Sequence, residues 1–321
     1  MEALLERFSK VRVLVVGDLL ADHYVFGQTE RVSREAPVLI VRHERDEVRL
    51  GGGANAAANA RALGGRVTAV GVIGGDPVGR ELKALFRAAG IGLRAVGGPG
   101  VVTETRTRVL AGGLSTTRQQ MLRIDRGAAG PLEPRVRRAL AAHVRAAAAD
   151  VIIVSDYGAG VVCEETRAAL RARARAGVPV VVDSRFGLGS LAGLTVAKPN
   201  EPELAAFTGL PVRSDAELEA AGRAALASLR CRVLLVTRGR RGMALFVRGK
   251  APVHIPVHGL ADAVDVTGAG DTVSAALALA LGAGASPLEA AQLANVAGAL
   301  VVQKQGTATV SRAELEAELV A

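Results

Sequence analysis

Tryptophan is absent, tyrosine occurs twice, and aromatic residues make up 2% of the 321 residues. Single strands of nucleic acid are held on successive aromatic platforms along a basic groove, and no basic run here is interleaved with such platforms. A core without large rings must be built from Val, Leu and Ala, which suits buried strands covered by Ala-rich helices. Cysteine is almost missing as well. Cys163 and Cys231 are too few for a disulfide framework, and neither has the CxxC or histidine-spaced neighbour that zinc requires. Both read as buried small hydrophobes in a reducing compartment. Long apolar runs are lacking too: the longest, Val273 to Leu281 and a little beyond, falls short of the roughly 20 residues a bilayer span needs. Met1 to Lys10 carries two glutamates and leads into a short strand, unlike a signal peptide. These absences predict a cytosolic protein without a membrane partner.

What is abundant is arginine. The formal net charge is +9 and the pI is about 10.4, a balance open to nucleic acid, membrane surfaces or acidic small substrates. Much of the charge lies in Arg135 to Arg145 and Arg167 to Arg175, interleaved with alanine as on the solvated face of a helix. Nucleic acid is therefore a distant alternative, and an anionic small molecule the nearer one.

The pattern along the chain is strand–helix alternation. Val11 to Val16 reads as a buried parallel strand ending at Gly17-Asp18, so that Asp18 and Asp22 stand at its mouth as a metal pair, turn caps or acceptors for sugar hydroxyls. Tyr24 to Arg49 changes to short extended charged segments, and Thr103 to Leu110 with Gln119 to Asp125 forms a second polar pair around Gly112-Gly113. Both read as a small β lid. Strands are predicted over Val67 to Val72, Val151 to Val154, Val178 to Asp183, Leu194 to Ala197, Val233 to Thr237 and Met243 to Val247. Helices are predicted over Val78 to Ala89, Glu133 to Ala149 and Glu164 to Ala176, with two closing helices around Asp271 and Asn295. No repeat or low-complexity linker divides the chain. The expectation is one α/β domain over residues 1–321, a mostly parallel sheet flanked by helices, with lid segments at about 19–49 and 103–125.

Three stretches carry chemistry. Asp265-Val266-Thr267-Gly268-Ala269-Gly270-Asp271-Thr272 runs into an apolar helical segment. Small residues before a helix leave first-turn amides open to an anion, and a carboxylate placed there makes sense if Asp271 takes a proton from an attacking hydroxyl. Gly51-Gly52-Gly53-Ala54-Asn55 enters an Ala-rich helix and allows close backbone approach of a ligand. It nearly fits a dinucleotide fingerprint through Gly51, Gly53 and Ala56, but no buried strand directly precedes it. Lys198-Pro199-Asn200-Glu201-Pro202-Glu203 follows a strand and opens a helix, so a cap explains Asn200 by itself.

Gly51 to Asn55, Asn200 with Glu203, Thr237-Arg238-Gly239-Arg240-Arg241-Gly242 and Asp265 to Asp271 occur in the order of the ribokinase-like, or pfkB, family of carbohydrate kinases, and the resemblance runs from Gly17 to Ser311. It implies a ribokinase-like fold and ATP- and Mg2+-dependent phosphoryl transfer. Asp271 is then the base, Gly268, Ala269 and Gly270 stabilise the transferring group, and Asp18, Asp22, Gly52, Gly53 and Asn55 orient the sugar. Asn200 and Glu203 organise Mg2+ through its waters, Thr237, Gly239 and Gly242 form the nucleotide loop, and Asp265 and Thr267 hold a monovalent cation such as potassium in many relatives. Asn295 matches a position near the adenine, or is a buried polar residue satisfied within its own helix pair.

Further stretches, Gly17 to Tyr24, Arg31 to Val38, Thr105 to Val109, Gln119 to Asp125 and Ser155-Asp156-Tyr157, are similar to the kinase domain of heptose-7-phosphate kinases of lipopolysaccharide-precursor synthesis. That resemblance implies phosphorylation of the anomeric hydroxyl of D-glycero-β-D-manno-heptose 7-phosphate. Arg106 and Arg108 suit a substrate phosphate or, equally, cross-strand salt bridges. The chain departs from such relatives at Asp183-Ser184-Arg185, where they often carry Asp-Pro-Lys or Asp-Pro-Arg, and at Lys198, where many carry Thr. A clasped homodimer through the lid strands is expected, and a separate adenylyltransferase for the following step.

Overall fold

Runs that are apolar at every position are buried on both faces only inside a parallel sheet covered by helices. In the computed structural model, which describes residues 2–97, 100–113, 118–127, 130–259 and 263–320, helix α1 (Glu2–Arg7) leads to the first such run, β1 (Arg12–Gly17). The chain then leaves the main sheet through β2 (Leu19–Val32) and β3 (Leu39–Gly52), and returns by α2 (Gly53–Ala62) to β4 (Arg66–Val72), α3 (Pro77–Ala88) and β5 (Gly92–Val96). A second excursion, β6 (Thr105–Gly112) and β7 (Gln119–Arg126), precedes α4 (Pro134–Ala146), β8 (Val151–Asp156), α5 (Glu164–Arg175), β9 (Val180–Ser184) and β10 (Val196–Ala197). The C-terminal part continues through α6 (Glu201–Thr208), α7 (Asp215–Ser228), β11 (Val233–Thr237), β12 (Met243–Val247) and β13 (Val253–Ile255). It closes with α8 (Ala269–Gly282), α9 (Pro287–Val301) and α10 (Arg312–Val320).

The main sheet has nine strands in the order β13-β12-β11-β10-β9-β8-β1-β4-β5. Its pairings are parallel from β5 across to β11, and β12 and β13 close one edge antiparallel. Strand periodicity divides the core in two. Val13 and Val15 face a layer that includes α2, α8 and α9, while Leu14 and Val16 face one that includes α4, α5 and α7. The excursions form a four-stranded sheet, β3-β2-β6-β7, in which β2 pairs antiparallel with β3 and parallel with β6. This is the lid; part of the β6–β7 connection, residues 114–117, lies outside the described residues.

Most element expectations hold to within a few residues, and the differences have local causes. The lid strands β2 and β3 run for 14 residues each, not as short segments, their antiparallel pairing continuing past two bulges. A strand does run directly into Gly52, although it is the solvent-facing lid strand and not a buried one. The expected strand from Leu194 shrinks to Val196–Ala197. Edge strands β5 and β13 and helix α10 were not anticipated: β5 is half-exposed and begins on glycine, and β13 is three residues long, between Pro252 and Pro256. Cys231 is buried as expected, but Cys163 is only partly buried and precedes α5.

One glycine is there for volume. The ring of Phe246 on β12 occupies the space a Cβ would take at Gly222 of α7. Alanine favours a helix interior over glycine by about 1 kcal/mol, whereas overpacking costs roughly 1–3 kcal/mol. Gly222→Ala should therefore lower stability in a denaturant titration, and a variant more stable than wild type would contradict this packing.

Candidate active site

The main sheet changes direction between β1 and β8: β4 and β5 lie to one side of β1, and β9 to β11 beyond β8 on the other. Ligands of open α/β sheets bind outside the strand C-termini at such a switch. There the chain gathers Asp18 after β1, Tyr157 after β8, the Asp183-Ser184-Arg185 turn at the end of β9, Lys198 after β10 and Thr237 ending β11. The N-termini of α2 and α8 bring Asn55 and Asp271 to the same place.

Asp271 lies in the first turn of α8 and is 2% exposed. Its Oδ2 accepts from Asn55 Nδ2 at 3.0 Å and its Oδ1 from the Tyr157 hydroxyl at 3.0 Å. Gly268, at φ 78°, caps the helix in a left-handed conformation, and a Cβ there would also strike the Asn55 amide. Burial, with the nearby charge of Asp183, pushes the Asp271 carboxyl up to about 7, against the hydrogen bonds from Asn55 and Tyr157 and the charge of Lys198. The carboxyl is thus poised near neutrality. Lys198 Nζ does not bond Asp271; it pairs with Asp183 Oδ2 at 2.9 Å, and Ser274 Oγ donates to the same oxygen at 3.1 Å. Gly270 lies against this pair, with Lys198 Nζ 3.4 Å from where a Cβ would be.

Several expected ligands are occupied by the protein itself. Asp18, 1% exposed, accepts from the backbone N–H groups of Tyr157, Ala159 and Val161 at 2.7, 3.1 and 3.2 Å. Its carboxylate holds the 157–161 loop. Asp22 and Arg108 form a buried ion pair between adjacent lid strands. Arg108 therefore has the salt-bridge role, while Arg106 is separate: its guanidinium lies 4.8 Å from the Tyr157 ring centroid and that of Arg185 lies 4.6 Å from it. Burial and the nearby charge of Arg185 lower the Arg106 pKa, against the charge of Asp22. Gly52 and Gly53 turn the chain into α2, with Gly53 N donating to Asp18 O at 3.0 Å.

Among the residues expected to face a nucleotide, Asn200 and Glu203 form a reciprocal capping box: Asn200 Oδ1 accepts from Glu203 N at 2.8 Å, and Glu203 Oε2 from Asn200 N at 2.9 Å. Burial raises the Glu203 pKa against the bond from Asn200. Among the described residues no group of three or more His, Cys, Asp or Glu is arranged to hold a metal ion. With Asn200 and Glu203 already tied to each other, this set fits Mg2+ through water and phosphate oxygens only. Thr237 is bridged to Asn200, and Gly239 and Gly242 bound a single turn at positive φ. Between them Arg238, which sequence reasoning passed over, is 8% exposed and pairs with Glu201 at 3.0 Å and Asp215 at 2.6 Å, joining the loop to α6 and α7. Asn295 is satisfied by Pro256 O at 2.7 Å, outside its helix pair. Asp265 accepts from Thr267 N and Gly306 N at 2.9 Å each; burial raises its pKa, but these bonds bring it below the usual range.

Comparison with known proteins gives the family and the fold. The pattern of the pfkB family carbohydrate kinases matches residues 10–314. Similar curated proteins include the bifunctional protein HldE of Caulobacter vibrioides, 42% identical over 97% of this chain and 64% of the relative, and that of Geobacter sulfurreducens, 41% identical over 99% and 65%. The chain spans just under two thirds of the length of these relatives. Among solved structures, Arabidopsis thaliana ribokinase complexed with ribose and ATP has a TM-score of 0.74 at 25% identity, covering 96% of this chain and 98% of that one. Escherichia coli phosphofructokinase-2 in complex with substrates and products has a TM-score of 0.80 at 20% identity over 97% and 98%, a likeness of fold.

The buried carboxyl makes a prediction about stability. A carboxyl whose pKa is raised on folding stabilises the protein below its unfolded value and loses that contribution as pH rises through about 7. Asp271→Asn removes the titration, so the variant should be more stable than wild type by roughly 1–3 kcal/mol at pH 8. The gain should shrink towards pH 5. Denaturant melts across that range measure it, and a pH-independent difference would show that Asp271 is not held in this environment.

Proposed function

From the premise that this chain belongs to the pfkB family of carbohydrate kinases, we propose that it transfers the terminal phosphoryl group of ATP to the anomeric hydroxyl of D-glycero-β-D-manno-heptose 7-phosphate, giving the 1,7-bisphosphate. The observation that carries this reading is a base with a distant cationic partner. Asp271 stands at a glycine-lined helix mouth, and Tyr157, which bonds it, carries Arg106 and Arg185 over its ring. A substrate with a hydroxyl at one end and a phosphate at the other suits both features.

In the reaction Asp271 accepts the hydroxyl proton, the sugar oxygen attacks the γ-phosphorus in line, and ADP leaves. A carboxylate oxygen has a second lone pair, so the hydroxyl can bond Asp271 while Asn55 and Tyr157 keep their contacts. First-turn amides of α8 have no intrahelical acceptor; that of Ala269 bonds Val266 O at 3.2 Å, and those of Gly270 and Asp271, with Lys198, meet negative charge on the transferring group. Asn55, Gly52 and Gly53 line the sugar side; Asn200, Glu203, Thr237, Gly239, Gly242 and Asn295 belong to the ATP side. Asn200 and Glu203 would hold Mg2+ through water, and the ion would supply screening of charge between the phosphates. Asp265 and Thr267 are the residues for a monovalent cation such as potassium.

A homodimer through the lid is part of this proposal. Every residue of β7 is exposed, Leu122 and Ile124 among them, an apolar edge that a second lid would cover. We place the enzyme in the cytoplasm, with an adenylyltransferase acting downstream. Another pfkB sugar or nucleoside kinase is the second reading, favoured by the loss of Arg108 to Asp22. The relatives give no support to a non-catalytic nucleic-acid-binding scaffold.

A substrate panel with phosphorylated and unphosphorylated sugars tests the proposal. Turnover only on unphosphorylated sugars would overturn the heptose-phosphate reading. Asp271→Asn should bind ATP nearly as wild type while turnover falls by about two or more powers of ten. Arg106→Ala or Arg185→Ala should raise KM for the phosphorylated sugar by roughly tenfold or more, with less effect on kcat.

A further inference from the structure

The Tyr157 loop is held in an unusual way. Gly158 and Gly160 have φ of 85° and 94°, so the N–H groups of residues 157, 159 and 161 converge, and the cavity they make is filled by the carboxylate of Asp18. Asp18 is itself fixed: its N–H donates to Ser155 O and its carbonyl accepts from Gly53 N, both at 3.0 Å. Nothing in the proposed chemistry uses this carboxylate. Yet the loop it fixes delivers the hydroxyl that bonds Asp271, and the ring of that tyrosine lies under two guanidinium groups that repel each other.

We propose that Asp18 and Tyr157 are a positioning pair for Asp271, Asp18 fixing the 157–161 loop and the loop holding the Tyr157 hydroxyl on Asp271 Oδ1. Its consequence is control of the proton on Asp271. Asn55 from α2 and Tyr157 from the β8 loop donate to the carboxylate, Lys198 after β10 favours its charge, and Asp183 from β9 opposes it. Removing one of the two donors must make the carboxylate harder to ionise. The groups facing Asp18 are the three amides and the carboxylate of Asp156. An amide in place of the Asp18 carboxylate cannot serve both sides of the loop: Oδ2 takes the N–H of Tyr157 and Ala159, and Oδ1 takes that of Val161, so one side would meet an NH2 group.

The inference rests on the reading of Asp271 as the base, and its test separates the two. The Asp271 carboxyl carbon is titrated by 13C NMR in the ligand-free protein, and the acid limb of kcat against pH is recorded with ATP and the accepted sugar. Tyr157→Phe, which keeps the ring, should move the NMR midpoint upward by about one pH unit. Asp18→Asn should move it in the same direction, and the double variant should add little to Tyr157→Phe. The kcat limb should move with the midpoint. An unmoved midpoint in Tyr157→Phe overturns the pair even if Asp18→Asn does not fold. Lower turnover at every pH with an unmoved midpoint in Asp18→Asn reduces Asp18 to a structural residue, which also overturns it. A midpoint that moves while the kcat limb stays in place upholds the positioning and removes Asp271 as the base.

Discussion

A carboxylate enclosed by protein is destabilising unless a cation or hydrogen-bond donors meet it. At Asp271 the fold supplies donors and withholds the cation. Lys198 is close enough to act on Asp271 through space, but Asp183 and Ser274 hold the ammonium–carboxylate pair to one side. Had Lys198 bonded Asp271 directly, the carboxyl would be a firm anion and a weak base. Two neutral donors, Asn55 and Tyr157, orient the carboxyl without fixing its charge. The glycine turn, the close approach of α2 to α8 and the anchored 157–161 loop all follow from the need to bring those donors to one point.

That point could exist only where the sheet places it. In a parallel sheet every strand delivers its last residue to the same side, and β1, β8, β9, β10 and β11 each end on a residue the site uses or lead directly into one. The lid reaches the site by the same logic. Strand β2 begins two residues after β1 ends, so Asp22 and Tyr24 stay near the cleft while its last three residues, Glu30 to Val32, are exposed. The sheet is covered on both faces, and the candidate site lies at the C-terminal ends of its strands and in the segments that leave them.

This arrangement explains which parts were legible from sequence. Central strands were readable because burial on both faces leaves an uninterrupted apolar run, and the helix mouths at Asn55 and Asp271 because close approach demands glycine. The capping box at Asn200 and Glu203 has a spacing of three that local sequence displays in full. Pairings across the sheet have no such local signature. Asp18 meets amides about 140 residues onward, Asp22 meets Arg108, and Tyr157 meets Asp271. Seen singly, each looks like a ligand. Arg238 was missed for the opposite reason: within Thr237 to Gly242 the glycines drew attention, while the arginine's partners Glu201 and Asp215 lie on other elements. Edge strands β5 and β13 escaped because half-exposure dilutes their alternation.

The lid and the Asp265 turn are mechanically joined, and the join runs through one aromatic ring. The Tyr24 hydroxyl accepts from Thr307 N at 3.1 Å, Arg49 Nη1 donates to Gln305 O at 3.0 Å, and Gly306 N donates to Asp265 Oδ2 at 2.9 Å. Arg49 and Arg108 both lie over the Tyr24 ring, and Arg108 carries the ion pair with Asp22. Movement of β2 against the main sheet would therefore pull on residues 305–307, and through them on the carboxylate of Asp265, which lies just ahead of the mouth of α8. In a protein with two tyrosines, one is placed at the root of the lid and the other on the buried carboxyl of Asp271. Each combines a flat apolar face for guanidinium groups with a hydroxyl for a neighbouring element, so the scarcity of aromatics concentrates the links between lid, cleft and helix on these two residues.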